Sequence, residues 1–264
     1  MLDAAVECTP ATHEAAAEAA RQPGSPALTV ALARSGDEVL EAQRLRYRVF
    51  AEELGARLGC SIPGVDRDLY DAHCEHLLVR DDTRSGEVVG TYRLLSGARA
   101  AALGGFYAET EFDLTRLRHL RADTLEIGRS CVHPDYRSGA TIALLWAGLA
   151  EFVARHDFRY VIGCASLAMN DGGHAAAAIY RRLAARYLSP VEYRVFPRCE
   201  LPLAALDHGA GDGVPPALVK GYLRVGAMIC GAPAWDPDFN TADLLMLLPV
   251  ARMDGRYARH FMKA

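Results

Sequence analysis

Glu126 stands in Leu125-Glu126-Ile127-Gly128-Arg129-Ser130-Cys131-Val132, a run that reads as a β-strand. A short polar loop, His133 to Ser138, follows, and a long amphipathic helix then begins near Gly139. A helix N-terminus presents free backbone N–H groups and the positive end of the macrodipole. Arg137 adds a guanidinium beside it, so Val132, Arg137, Ser138, Gly139, Ala140 and Thr141 are candidates to seat a phosphate or pyrophosphate. A carboxylate one strand away can take a proton from an amine. Together these features suggest transfer of an acyl group from a phosphopantetheine thioester to an amine. Glu126 and Ser130 are the catalytic candidates.

Strand alternation places Glu126, Gly128, Ser130 and Val132 on one face, and Ile127, Arg129 and Cys131 on the other. Gly128 would let a substrate approach the backbone. Arg129 either anchors the loop carrying Asp68 and Asp71 or touches ligand directly. Asp68 and Asp71 could hold the ammonium of an amino acid, or belong to a solvated acidic turn beside Arg67. Arg46 and Arg93 lie in otherwise apolar elements and need partners. Those partners are the same aspartates, a substrate carboxylate, or both.

Arg181, Arg182 and Arg186 form a basic helical face, with Arg194 and Arg198 beyond it. Such a rim would steer an acidic carrier protein, or it is simply a solvated face. His73-Cys74-Glu75-His76 has metal-ligand letters, but strand alternation would split them between faces, so no metal site is expected. Ser130, His133 and Asp135 lack the G-x-S-x-G elbow of a hydrolase.

The elements that must position these residues can be read along the chain. Residues 1–26 are rich in Ala and Glu, end in Pro23-Gly24-Ser25-Pro26, and are expected to form a flexible arm. Leu28 to Leu32 reads as a strand, and Ser35 with Glu38 as a capping box opening a helix that ends near Gly55. Residues 56–71 are a polar loop. His76–Val79 and Val88–Leu95 form a hairpin. Residues 97–123 read as loop with one or two short helices. Ile142, Leu145, Trp146, Leu149, Phe152 and Val153 keep helical spacing over four turns. Phe158–Ala165 is a buried strand. Asn170 or Asp171 could cap the next helix, which runs to about Tyr187. A surface loop over 197–213, a helix after Pro216 and a strand over Thr241–Leu248 complete the chain. Interspersed strands and helices imply an α/β domain, a mixed twisted sheet flanked by helices over residues 27–264, with a C-terminal extension from about 200.

Composition narrows the class. The chain has 264 residues, 51% hydrophobic and 23% charged, enough for one large core. A net charge of -4 gives no general attraction to nucleic acid. No apolar run reaches the roughly 18 residues of a membrane span. Asp3 and Glu7 without an apolar stretch are not a secretory signal. Seven cysteines, at 8, 60, 74, 131, 164, 199 and 230, show no CxxC spacing, which fits a reduced cytoplasmic protein. Cys131 and Cys164 are expected to be buried packing residues.

Leu45-Arg46-Tyr47-Arg48-Val49-Phe50, Asp68-Leu69-Tyr70-Asp71, Gly90-Thr91-Tyr92-Arg93-Leu94 and Glu126-Ile127-Gly128-Arg129 stand in that order. The series is similar to the LRxxVF, DxxD, GxxRL and ExxR motifs of acyl-homoserine-lactone synthases, a branch of the GNAT superfamily. A longer resemblance, from about Val39 to Phe261, is to the L-ornithine Nα-acyltransferases. It includes Asp71 to Val79, Gly128 to Val132, Gly163-Cys164-Ala165-Ser166, Lys220 to Ala227 and Asp238 to Asp243. The resemblance implies a GNAT-like fold and N-acylation of L-ornithine from a 3-hydroxyacyl carrier protein, giving lyso-ornithine lipid. The implied co-substrate is the acyl-phosphopantetheine of acyl carrier protein, with no permanently bound cofactor. Substrate contact is implied for Arg46, Phe50, Asp68, Asp71, Arg93 and Arg129. Peripheral contact with the inner membrane would suit the amphiphilic product. Other readings are a lactone-synthase-like or general N-acyl amino acid synthase, and a non-catalytic acyl-carrier or lipid-binding module. Arg137-Ser138-Gly139-Ala140-Thr141-Ile142 departs from the usual Q/R-x-x-G-x-G/A loop of acetyltransferases, which favours a carrier protein over free acyl-CoA.

Overall fold

The computed structural model describes residues 27–59, 61–137, 139–206 and 213–253. The expected arm over 1–26 and the candidate Ser138 lie outside them. β1 (Leu28–Leu32) is followed by α1 (Gly36–Tyr47). The Ser35 hydroxyl accepts from the N–H of Glu38, as a helix cap should. The Glu38 carboxylate accepts from the N–H of Arg34 rather than that of Ser35, so the box is one residue out of register. A π-helical stretch, Arg48–Glu53, continues α1 and carries Phe50.

β2 (Glu75–Asp81) and β3 (Glu87–Ser96) form the expected hairpin. The segment after it holds more structure than its composition predicts. It contains α2 (Gly97–Leu103), a 3-10 turn over Tyr107–Thr110, the short β4 (Phe112–Asp113) and a second 3-10 run over Thr115–Asp123. Then come β5 (Thr124–Val132), α3 (Gly139–Arg155), β6 (Tyr160–Ala168) and α4 (His174–Tyr187). Asp171 caps α4, accepting from the N–H groups of Gly173 and Ala175. The last part holds β7 (Phe196–Pro197), α5 (Ala217–Arg224), β8 (Met228–Ile229), β9 (Ala234–Asp236) and β10 (Thr241–Pro249).

The main sheet runs β1-β2-β3-β5-β6-β10-β8, with β9 on β10. All its pairings are antiparallel except β5 with β6. The segment after residue 200 therefore supplies β10, paired with β6 along its whole length. α3 packs Leu145, Phe152 and Val153 against Leu77, Val79, Leu125 and Val161 on one face. α4 and α5 cover the β6–β10 end through Ala177, Leu183 and Val219. α1 covers the opposite face with Ala42, Leu45 and Val49 on Leu78 and Cys131.

Two departures from regular pairing create the site. β5 and β6 pair only from Thr124↔Tyr160 to Glu126↔Ile162, and beyond that point they splay. Gly163 sits at the fork: a Cβ there would come within 2.5 Å of the Ile127 carbonyl oxygen. The second is a β-bulge. Arg93 pairs with Gly128 and Thr91 with Cys131, so Tyr92 faces two residues, Arg129 and Ser130. Arg129 has φ 47°, a left-handed conformation uncommon outside glycine.

Candidate active site

The bulge corrects the expected alternation. Directly paired residues share a face, and so do Thr91 and Arg93. Gly128 and Cys131, three apart, therefore both lie on the Glu126 face. Cys131 packs under α1, while Ser130 turns toward Tyr92 and hydrogen-bonds its hydroxyl. Arg129 is not sent away from Glu126; both line one cleft.

That cleft encloses about 400 Å³ at the fork. Tyr92, Ser130, Val219 and Tyr222 wall it toward α3 and α5, and Arg93, Glu111, Glu126 and Asp243 line its other side. A second, apolar cavity of about 930 Å³ lies beneath α3, lined by Trp146, Leu149, Val153, Met246 and Leu248. Ile127, Gly163's strand neighbour across the fork, and Tyr222 border both.

Glu126 is 5% exposed. Its Oε1 and Oε2 accept the N–H groups of Ala108 and Tyr107, each at 2.7 Å. The carboxylate thus holds the start of the Tyr107–Thr110 turn. Burial pushes it up to about 7, against the downward pull of those two bonds and of Arg93. Tyr92 and Tyr222 join hydroxyls at 2.9 Å, and Tyr222 stacks on Trp146 at 5.7 Å. Ser130, Tyr92 and Tyr222 thereby form a chain of hydroxyls in the cleft.

The motif arginines and aspartates form a buried knot. Arg46, fully buried, meets Asp66 Oδ2 at 2.8 Å and Asp71 at 2.6 and 3.0 Å. Arg93 meets both oxygens of Asp68 at 2.7 Å. Arg129 lies 3.3 Å from Asp66 and 3.4 Å from Asp68, and its guanidinium covers the rings of Tyr107 and Phe239 at 4.8 Å. Burial alone would raise the Asp71 carboxyl, but its bonds and charge contacts with Arg46 hold it well below the usual range.

Three of the six expected substrate contacts, Phe50, Arg93 and Arg129, line the cleft; Arg46, Asp68 and Asp71 do not. The donors of Arg46 are engaged by Asp66 and Asp71, so it is corrected from a ligand contact to a scaffold residue. Asp71 is corrected likewise, and Asp68 is held by Arg93 and Arg129. The loop anchored by Arg129 is the Asp66–Asp68 part, with Asp71 left to Arg46.

At the start of α3, Gly139 and Ala140 are exposed, as a phosphate seat requires. Thr141 is fully buried, with its methyl 3.0 Å from where a Cβ on Gly90 would stand, so its side chain is not part of that seat. Val132 packs toward the α3 core. Arg137 is paired through both terminal nitrogens with Glu53 at 2.6 Å, and an incoming phosphate would have to share or displace that partner.

The basic rim is less open than its sequence implies. Arg181 donates to the carbonyls of Leu203 and Leu206, Arg194 to Ser189 and Arg198 to Glu109. Arg182 is exposed but donates to the Gly213 carbonyl, and Arg186 is exposed beside the Tyr187 ring. The expectation of one solvent-facing row is corrected to Arg182 and Arg186 on the helix, with Arg198 exposed apart from them. Cys164 is half-buried and borders the cleft rather than serving as core alone.

Sequence reasoning missed Tyr92, Tyr222, Glu111, Asp236 and Asp243 as cleft residues. One signal was present: Asp243 is a lone charge in the apolar run Thr241–Leu248, and such a charge needs a reason.

A sheet that forks between two parallel strands, with a carboxylate at the fork and a helix N-terminus beyond it, defines the class. Residues 45–147 match the acetyltransferase (GNAT) domain family. The fold is shared with the N-acyl amino acid synthase FeeM from uncultured soil microbes (TM-score 0.54, 12% identity, 87% of this chain and 94% of that one). It is also shared with the AHL synthase LasI (TM-score 0.50, 14% identity, 88% and 96%). The chain is 39% identical over 250 residues to the L-ornithine N(alpha)-acyltransferase of Agrobacterium fabrum, covering 89% of this chain and 85% of that protein. The relative of the same name from Rhodobacter capsulatus is 37% identical over 246 residues, with 89% and 94% covered. The chain belongs to the L-ornithine N(alpha)-acyltransferase family. Among the described residues, no helix is long and apolar enough to cross a membrane.

Proposed function

We propose that this acyltransferase moves a 3-hydroxyacyl chain from the phosphopantetheine thioester of acyl carrier protein to the α-amine of L-ornithine, giving lyso-ornithine lipid. The observation that carries the reading is Glu126, a buried carboxylate raised to about 7 and facing a cleft at the fork of β5 and β6. A base poised near neutral pH is suited to an ammonium nucleophile. Glu126 takes one proton from the α-ammonium, the freed amine nitrogen bonds to the thioester carbon, and as the C–S bond breaks the nitrogen gives up its second proton to the hydroxyl chain. The Ser130–Tyr92–Tyr222 hydroxyls relay that second proton to the departing thiolate and end the step neutral. The pantetheine enters along the fork, its phosphate meeting Gly139, Ala140 and Arg137, and the acyl chain occupies the apolar cavity beneath α3. Arg182 and Arg186 face the acidic carrier.

The test is turnover by the purified full chain, with products weighed by mass spectrometry. Carrier-bound 3-hydroxyacyl thioester with ornithine should yield the mono-N-acylated product. The same chain on CoA should give a much lower kcat/KM; equal values for the two donors contradict the carrier assignment.

A further inference from the structure

Glu111, Asp236 and Asp243 meet in the same cleft as Glu126, and the reaction described above uses none of them. Asp243 points from β10, paired opposite Ser166 of β6. Asp236 closes β9, opposite Thr241. Glu111 follows the turn that Glu126 caps. One oxygen from each lies within 4.8 Å of the others. Asp243 is 4% exposed, yet neither its Oδ1 nor Oε2 of Glu111 meets an N–H or hydroxyl donor; the two carboxyls bond to each other, through a proton that one of them must keep. The Thr241 hydroxyl donates to Asp243 Oδ2 at 3.3 Å. No ion pair among the described residues reaches any of the three carboxylates.

Buried acceptors without donors are costly, more so when like charges face one another. Burial raises Glu111 to about 9, helped by the charges of Asp243 and Asp236, and raises Asp243 to about 6, helped by Asp236 and opposed by its bond to Glu111. What such a group lacks is a compact cation with several N–H donors. An ammonium offers three in a tetrahedral array and no acceptor. The position suits one end of a diamino acid. Cys164 lies midway along β6 between Ile162, the partner of Glu126, and Ser166, the partner of Asp243. Those four strand steps span about 13 Å, a gap bridged by the roughly 6 Å between the nitrogens of extended ornithine with a hydrogen bond of about 3 Å at each end.

We propose that Glu111, Asp236 and Asp243 seat the side-chain ammonium of the amino-acid acceptor, so that its α-amine is the nitrogen left at Glu126. The inference rests on the proposed reaction and adds to it the groups that choose a diamino acid and fix which nitrogen is acylated. A neutral side chain leaves the carboxylates unpaired, and a site built around a donor rejects an analogue that lacks it.

The test compares ornithine with norvaline, the same carbon chain without the terminal amine, in full-length wild type, Asp243→Asn and Glu111→Gln. Thermal melting checks that each variant is folded. In wild type, kcat/KM should favour ornithine by about 10²–10⁴. In each variant that ratio should shrink by about 10–100-fold, mainly through a higher KM for ornithine, while norvaline is unaffected or improved. Equal proportional losses on both acceptors would overturn the seat. A second readout, calorimetric binding of ornithine and norvaline with holo-acyl carrier protein present, separates seat from reaction. Asp243-dependent preference for ornithine without acylation keeps the seat and rejects the reaction. Acylation of ornithine with an unchanged ratio in the variants does the reverse. Loss of ornithine turnover on chelation, restored by Mg²⁺ or Ca²⁺, would assign the carboxylates to a metal and overturn the proposal.

Discussion

Two acidic groups on one side of the sheet are built on opposite principles. In the first, Asp66, Asp68 and Asp71 are each matched by a guanidinium from Arg46, Arg93 or Arg129. In the second, Glu111, Asp236 and Asp243 have no cationic partner among the described residues. A matched buried network holds a loop in place, because removing any member strands a charge. An unmatched one lacks that clamp, although Asp236 accepts the N–H groups of Asp238 and Phe239 and Asp243 the Thr241 hydroxyl; acidic groups left facing one another in a well-packed domain mark a place for something that comes and goes. The contrast separates scaffold from site more clearly than the motif letters do. Arg46 and the DxxD aspartates belong to the scaffold, while Asp243 lies outside those motifs.

Breaking the matched group should have the largest effect. Arg46→Met strands two buried aspartates and should cost about 3–5 kcal/mol, read as a lowered denaturant midpoint or insoluble expression. Asp243→Asn, equally buried, should melt at or above the wild-type temperature because it relieves repulsion. Similar destabilisation by both substitutions would erase the distinction between the two groups.

Glu126→Gln should come next, and it acts twice. The amide keeps one acceptor but turns an NH₂ toward a backbone N–H of Tyr107 or Ala108, at a cost of about 1–3 kcal/mol. It also removes the base, so kcat should fall by about 10²–10⁴. A stable, fully active variant would remove Glu126 from both roles.

The two groups should also respond to pH with opposite signs. Asp71 is held low, so its contribution is present above the ordinary aspartate pKa and is lost as pH falls through its native value. Glu126, Glu111 and Asp243 are held high, so the folded state binds more protons. Their contribution is full below the ordinary carboxylate range and fades as pH rises, for Glu126 through about 7. The Glu126 part amounts to about 3 kcal/mol. Melting temperature against pH should decline on the alkaline side, less steeply in Asp243→Asn. Identical slopes in wild type and variant would contradict the raised Asp243 carboxyl.

The smallest effect belongs to the surface. Charge reversal at Arg182 and Arg186 should raise KM for acyl carrier protein severalfold and flatten its salt dependence, leaving the melting temperature unchanged. Unchanged salt dependence would leave that face merely solvated.

Much of the frame was legible before the structure. The β2–β3 hairpin, α3, β6 and β10 follow from periodicity, and the pairing of Arg46 and Arg93 with nearby aspartates follows from the cost of unpaired charge in apolar elements. What escaped has physical reasons. Period-two alternation assumes an unbroken ladder, and nothing in Gly128-Arg129-Ser130 announces that the non-glycine residue takes the positive φ. β8 and β9 are two and three residues long, too short for a pattern. Glu111 and Asp243 are far apart in the chain and meet only when β10 pairs with β6.

The central claim is that Glu126 is the base at the fork of β5 and β6. Its most direct test is the pH profile of kcat/KM for ornithine with acyl carrier protein thioester. Wild type should show a rising limb near pH 7, the value that burial gives Glu126. In Glu126→Gln that limb should vanish, leaving a slow rate that climbs only as the substrate amine loses its own proton. A limb near 7 that survives in the variant, with kcat within roughly tenfold of wild type, or about 1.4 kcal/mol of barrier, would contradict the claim.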